Sequence, residues 1–194
     1  MVGIAGQHFP FLSALSVFNK YLIHEDGSIK EGRQAPNARA LEFGLPYADM
    51  RQKVADKLAE YVEANDYHLN TGFLATPYLL QQLCDNGYPE HAFRLLEQES
   101  SPSWLYNVKA GATTILETWT GMNTHCMSFN HYSYGAVCNF LFTGITGIRP
   151  VIEKPGYKHF LIKPMPGGSL TYARATYESL YGTIESSWEK RKKV

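Results

Sequence analysis

Cysteine is scarce in this sequence: Cys84, Cys126 and Cys138 are its three, and no two form a C-x-x-C pair. A disulfide framework or a structural zinc site is therefore not expected, and a reducing, cytoplasmic compartment is. Net charge is also lacking, since Lys plus Arg and Asp plus Glu number 18 each. No basic surface points to nucleic acid or an anionic membrane as partner. No stretch reaches the roughly 18 apolar residues that a membrane span takes. The opening MVGIAGQHFPFLSALSVF has no Lys or Arg before its apolar part and is interrupted by Gln7, His8 and Pro10, which makes it a poor secretory signal. The remaining expectation is a soluble protein whose ligand is small, polar and neutral.

What the 194 residues do have is aromatic surface: 13 Tyr, 10 Phe and 3 Trp. Rings of this kind fill cores, and they also offer flat apolar faces to ligands. From about residue 10 to 148 the pattern is that of successive helices joined by short turns. Phe11, Leu15, Phe18 and Leu22 recur at helical spacing before Asp26-Gly27. Residues 48–64 put Met50, Val54, Leu58, Tyr61 and Val62 on one face and charges on the other. Thr76-Pro77 reads as an N-cap followed by proline, with Asn86-Gly87 as the stop, and Pro89 opens a further helix that Ser100-Ser101-Pro102 breaks. A last helix is expected over 132–146.

After Pro150 the pattern turns to strands, over 157–162, 169–176 and 183–188, with Pro164-Met165-Pro166-Gly167-Gly168 and Tyr181-Gly182 as turns. Two domains are expected, 1–150 helical and 151–194 stranded. The closing Lys190-Arg191-Lys192-Lys193 reads as a solvated strand end.

Chemistry gathers in GATTILETWTGMNTHCMSFNHYSYGAV, residues 111–137, where Glu117 precedes a Thr-Trp pair and His131 follows fourteen residues later. His125, Cys126 and His131 match no standard zinc spacing, so no metal or other cofactor is expected. The blocks Thr71-Gly72-Phe73-Leu74-Ala75-Thr76-Pro77-Tyr78-Leu79-Leu80, Pro102-Ser103-Trp104, Gly111 to Trp119 and Ser128-Phe129-Asn130-His131-Tyr132 stand in an order that resembles the bacterial α-L-rhamnosidases of glycoside hydrolase family 78. The resemblance runs from about residue 10 to residue 188.

That resemblance implies a mainly α fold: the C-terminal part of an (α/α)6 toroid of six helical hairpins, followed by the first antiparallel strands of a β-sandwich. It implies inverting hydrolysis of terminal α-L-rhamnosides with Glu117 as the general base, and His131 near the sugar. Trp104 and Trp119 could each offer the sugar an apolar face. Inversion takes two carboxylates roughly 6.5–9.5 Å apart, with the attacked water between base and sugar. The family's general acid falls before the region matched here, so this chain is not expected to be active alone. Two departures stand out. The family pattern Trp-Glu-Arg-Trp is Leu116-Glu117-Thr118-Trp119 here, and the loop from Glu117 to His131 is several residues shorter.

Two classes of function stay open, part of a rhamnosidase or a non-catalytic carbohydrate-binding or relic module of the same origin. The expected partners are a rhamnose-containing oligosaccharide or glycoside and an acid-bearing first half of the ring. Failing that half, the open flanks would favour self-association.

Overall fold

Alanine decides how closely the first helices meet. In α2 (Gln34–Glu42) and α3 (Ala48–Ala64), Ala38, Ala40, Ala55 and Ala59 are buried beside Leu41, Val54, Leu58 and Val62. These small side chains let the hairpin close tightly. The structure, a computed structural model, describes residues 8–191 apart from Glu31, Asn123 and Thr124. The opening seven residues, the side chain of Phe11 and Lys192-Lys193 of the basic run lie outside that description.

The other helices are α1 (His8–Tyr21), α4 (Thr76–Asp85), α5 (Pro89–Leu96), α6 (Trp104–Lys109) and the short α7 (Val137–Phe140). The helices α2–α3 and α4–α5 form hairpins, α2 packs on α4, and α4 packs on α7. Thus α2, α4 and α7 form one layer of a partial (α/α)6 toroid, with α3 and α5 outside it. Buried amides fix the register between hairpins. The Gln34 side chain donates to His68 O at 2.9 Å and accepts from the Asn70 N–H at 2.9 Å. Asn37 donates to Val54 O at 2.9 Å and to Gly27 O at 3.2 Å. Gly27 has φ +85°, and a Cβ on it would lie 2.3 Å from the Lys53 carbonyl carbon. The Asp26-Gly27 turn can therefore press against α3 only with glycine. Beside it, the Ser28 hydroxyl and N–H hold the Asp26 carboxyl down to about 2.

The strands form two antiparallel hairpins, β1 (Ile148–Pro150) with β2 (Phe160–Ile162), and β3 (Tyr172–Ser179) with β4 (Gly182–Glu189). Two-stranded ribbons are marginal alone, and both lean on the helical part. Ser186 donates to Thr146 O at 2.6 Å and the Trp188 indole to Ile145 O at 2.8 Å. The Arg149 guanidinium binds Thr143 O at 2.7 Å and Asp85 at 2.9 Å.

Several expected boundaries move for local reasons. Thr76 is the first helical residue of α4 rather than its cap, and its hydroxyl bonds Thr71 Oγ1 at 2.8 Å and Gly72 O at 3.0 Å. Helix α5 stops at Leu96, after which the Gln98 side chain takes the N–H groups of Glu99 and Ser100. Strand β3 starts at Tyr172, because Glu97 claims the N–H and hydroxyl of Ser169. The span 132–146 is no single helix: a 3₁₀ turn at Tyr134–Ala136 leads into α7, and a π turn covers Leu141–Ile145. Gly144 lies against the Phe140 ring there, with no room for a Cβ.

Gly27→Ala should cost at least the 1–3 kcal/mol typical of a strained backbone, because the methyl also displaces α3. Urea unfolding of the two chains measures it, and equal midpoints would refute this account of the turn.

Candidate active site

Helix α6 begins where the Ser103 hydroxyl accepts the Tyr106 N–H at 3.1 Å. It ends at Lys109, and Gly111 at φ +93° turns the chain back. Two loop segments then meet through backbone hydrogen bonds. The Glu117 N–H donates to Ser128 O at 3.0 Å and the His131 N–H to Ile115 O at 2.7 Å. The Thr114 hydroxyl bonds Phe129 O. Leu116 is buried in the core, 1% exposed, while the next residue, Glu117, is half-buried. Asn107 fixes the next carbonyl, its amide donating to Thr118 O at 2.7 Å, while the Thr118 hydroxyl bonds Gly121 O at 2.7 Å.

The backbone that carries Glu117 is thus held on both sides, yet its carboxylate has no hydrogen bond or ion pair among the described residues. Its charge acts instead on Tyr134. Burial first, and the Glu117 charge second, push the Tyr134 phenol above its ordinary value. Tyr134 joins the site together, since its ring lies 4.0 Å from that of Trp119 and 4.9 Å from that of His131. Its N–H donates to His131 Nδ1 at 3.4 Å, which puts the proton of a neutral imidazole on Nε2. Nε2 has no partner among the described residues and remains a donor for a ligand. Phe73 and Tyr132 flank the imidazole on either side.

Trp119 is half-buried, and its indole donates to Thr71 O at 3.2 Å. Trp104 stands behind it, edge-on at 5.4 Å, only 4% exposed and bonded to Tyr134 O. The four sequence candidates therefore meet in one place, three of them at the surface and Trp104 beneath. Tyr134 was missed. The signal available was its spacing, three residues after His131 on a turn that brings a backbone N–H back to the ring. Among the described residues, no three His, Cys, Asp or Glu side chains come together as a metal would need. Cys126 instead donates to Ser128 O.

Beside Trp119 and Tyr134 opens a cleft of about 540 Å³, bounded by Thr71 and Gly72 before α4 and by Arg33 and Arg39 of the α2 segment. Its size suits a saccharide of more than one ring.

Comparison with known proteins finds one family at this fold. The pattern of the bacterial alpha-L-rhamnosidase 6 hairpin glycosidase domain matches residues 13–145, and that of the bacterial alpha-L-rhamnosidase C-terminal domain matches residues 147–194. An alpha-L-rhamnosidase of Streptomyces avermitilis is 39% identical over 93% of this chain, which spans 18% of that protein. One of Formosa agariphila is 38% identical over 85% of this chain, which spans 19% of it. The crystal structure of the Streptomyces avermitilis enzyme complexed with L-rhamnose superposes with a TM-score of 0.89 over 96% of this chain and 19% of that one, at 38% identity. That of the Aspergillus terreus enzyme gives 0.85 over 94% and 22%, at 31% identity. The chain thus spans about a fifth of the relatives it matches.

The Tyr134 shift yields a check on the geometry. Glu117→Gln removes the negative charge that disfavours phenolate, so the Tyr134 pKa should fall toward its ordinary value while remaining above it through burial. Alkaline titration of the Tyr134 ring carbon signal by NMR measures this. An unchanged midpoint would show that Glu117 does not face the phenol.

Proposed function

This chain belongs to the bacterial α-L-rhamnosidases, and from that premise we propose that it forms part of an enzyme removing terminal α-L-rhamnose by inversion, with Glu117 as general base. The observation that carries the proposal is the state of Glu117: half-buried, fixed through its backbone, and free of any partner among the described residues. A carboxylate placed for structure spends its lone pairs on donors. A base keeps them for the water it deprotonates.

The neighbouring groups suit the sugar. Rhamnose carries a methyl group and axial and equatorial C–H bonds, which fit against the part of the Trp119 indole that lines the cleft. Its hydroxyls can accept from His131 Nε2–H. Trp104 acts from behind, holding the Trp119 plane. The relative that was crystallised with L-rhamnose supports the same ligand here. The general acid is assigned to a segment outside these residues, which would face Glu117 at roughly 6.5–9.5 Å so that a water fits beside the anomeric carbon. Base and acid would then act from opposite faces, and the departing oxygen would receive its proton as the water loses one.

A non-catalytic sugar-binding module is the second reading, favoured by Leu116 and Thr118. Leu116 is buried, and the Thr118 hydroxyl is engaged with Gly121, so neither supplies the wall and guanidinium of the family pattern.

One substitution separates the two readings. In an enzyme completed with an acid-bearing segment, Glu117→Gln should slow hydrolysis of an aryl α-L-rhamnoside with an activated leaving group on the order of 10²–10⁴-fold. Azide, which needs no deprotonation, should restore part of the rate and give the inverted rhamnosyl azide. A completed enzyme with measurable turnover that the substitution leaves untouched would remove Glu117 from the base role. Rhamnoside binding without turnover would favour the module.

A further inference from the structure

We propose that the cleft beside Trp119 recognises an anionic group, a carboxylate or sulfate, on the residue attached to rhamnose, through Arg33 and Arg39; this rests on the rhamnoside reading above. Arg33 at the N-cap of α2 and Arg39 six residues further along both line the cleft, with Pro36 between them. Both are exposed, while Ala38, Ala40 and Leu41 of the same helix turn inward.

Their situation differs from that of the other arginines in the body of the fold. Arg51 binds Leu41 O and Gln82, Arg94 lies over the Tyr67 ring, Arg149 pairs with Asp85 and Arg174 with Glu185. Arg33 and Arg39 have no such partner among the described residues, and none of the described residues lining the cleft is acidic.

Helix stability does not explain Arg33 either. It occupies the N-cap of α2 and makes no capping hydrogen bond. A cation at that end is opposed by the helix dipole, and Ser, Thr, Asp or Asn would satisfy the free N–H groups. A residue that breaks the local rule without local gain is a candidate for function. A guanidinium offers paired N–H donors that match the oxygens of a carboxylate or sulfate. Placed across a cleft from Trp119 and Tyr134, the pair can hold the charged substituent while the rings take the apolar faces. Glu117, beyond Tyr134, would repel an anion from the rhamnose position itself, so the two subsites would also be sorted by charge.

The test uses the 194-residue chain in about 10 mM salt, where screening is weak. Binding is followed by the Trp119 indole N–H signal in NMR. The probes are methyl α-L-rhamnoside, an α-L-rhamnosyl-glucuronate disaccharide, its glucose counterpart with the carboxylate reduced to the alcohol, and that counterpart sulfated at the same carbon. The charged disaccharides should bind about 10-fold tighter than the neutral one, with about a 3-fold share per arginine, within the range for an exposed charge pair. The charged-to-neutral ratio should fall to about one in Arg33→Gln/Arg39→Gln and shrink with added salt. The larger of the glucuronate and sulfate ratios identifies which group the cleft takes. Equal affinity for charged and neutral disaccharides, or a ratio that survives the double substitution, overturns the proposal. Should methyl α-L-rhamnoside and all three disaccharides leave the indole signal unmoved, the rhamnoside reading fails. Free glucuronate against glucose then decides this one: an arginine-dependent preference for glucuronate sustains it, and none sinks it.

Discussion

Two backbone hydrogen bonds, Glu117 N–H to Ser128 O and His131 N–H to Ile115 O, hold together the segments that carry the two polar groups of the site. The pairing is secured from beneath by buried Leu116 and from α6 by Asn107. It also sets the reach of His131, whose ring then receives the Tyr134 N–H and settles against three aromatics.

Charges left unmet are the second theme. Most polar side chains of the helical part are committed: Glu42 to Gln82, Asp56 to Tyr88, Glu97 to Ser169, Asp85 to Arg149. Glu117, Arg33 and Arg39 are not, and all three lie around the same pair of rings, Trp119 and Tyr134. Leaving a half-buried carboxylate without donors sacrifices stabilisation that a nearby cation would provide. The fold supplies no such cation within the described residues, which fits a group kept for chemistry or ligand.

Much of this was legible in the residues. Apolar spacing marked α3, α4 and α5, and the ordered blocks from Thr71 to Tyr132 marked the family, because both signals are local in the chain. Three of the four strands were legible in outline, while β1, which falls before the expected boundary at Pro150, was not. The boundaries of those three were not, since Ser169 is removed from the ladder by Glu97, 72 residues away. The 132–146 stretch looked like one helix because its apolar spacing is helical. The hydroxyl of Ser133 on Phe73 O and the contact of Gly144 with Phe140 break it, and neither is visible without the tertiary fold. Trp104 and Trp119 were both candidates in sequence, and packing separates them, one behind the other. Tyr134 escaped notice because its role is to connect groups from three segments.

The flanks explain why the site and the remainder of the ring belong to one problem. Helix α1 is fastened to its neighbours through Asn19, which donates to Leu45 O at 2.7 Å and accepts from Tyr47 N–H at 2.8 Å. Its Val17 and Tyr21 are 53% and 65% exposed. A helix of 14 residues is marginal on its own propensity and draws stability from burying an apolar face. That face is not used up within the described residues, and Leu141 and Phe142 at the other end of the layer are exposed as well. On the proposed reading, the hairpins that complete the ring would cover these two edges and stand across from Glu117. The segment that buries the apolar flanks is then the one that brings the acid, so closure of the fold and completion of the catalytic pair are a single event.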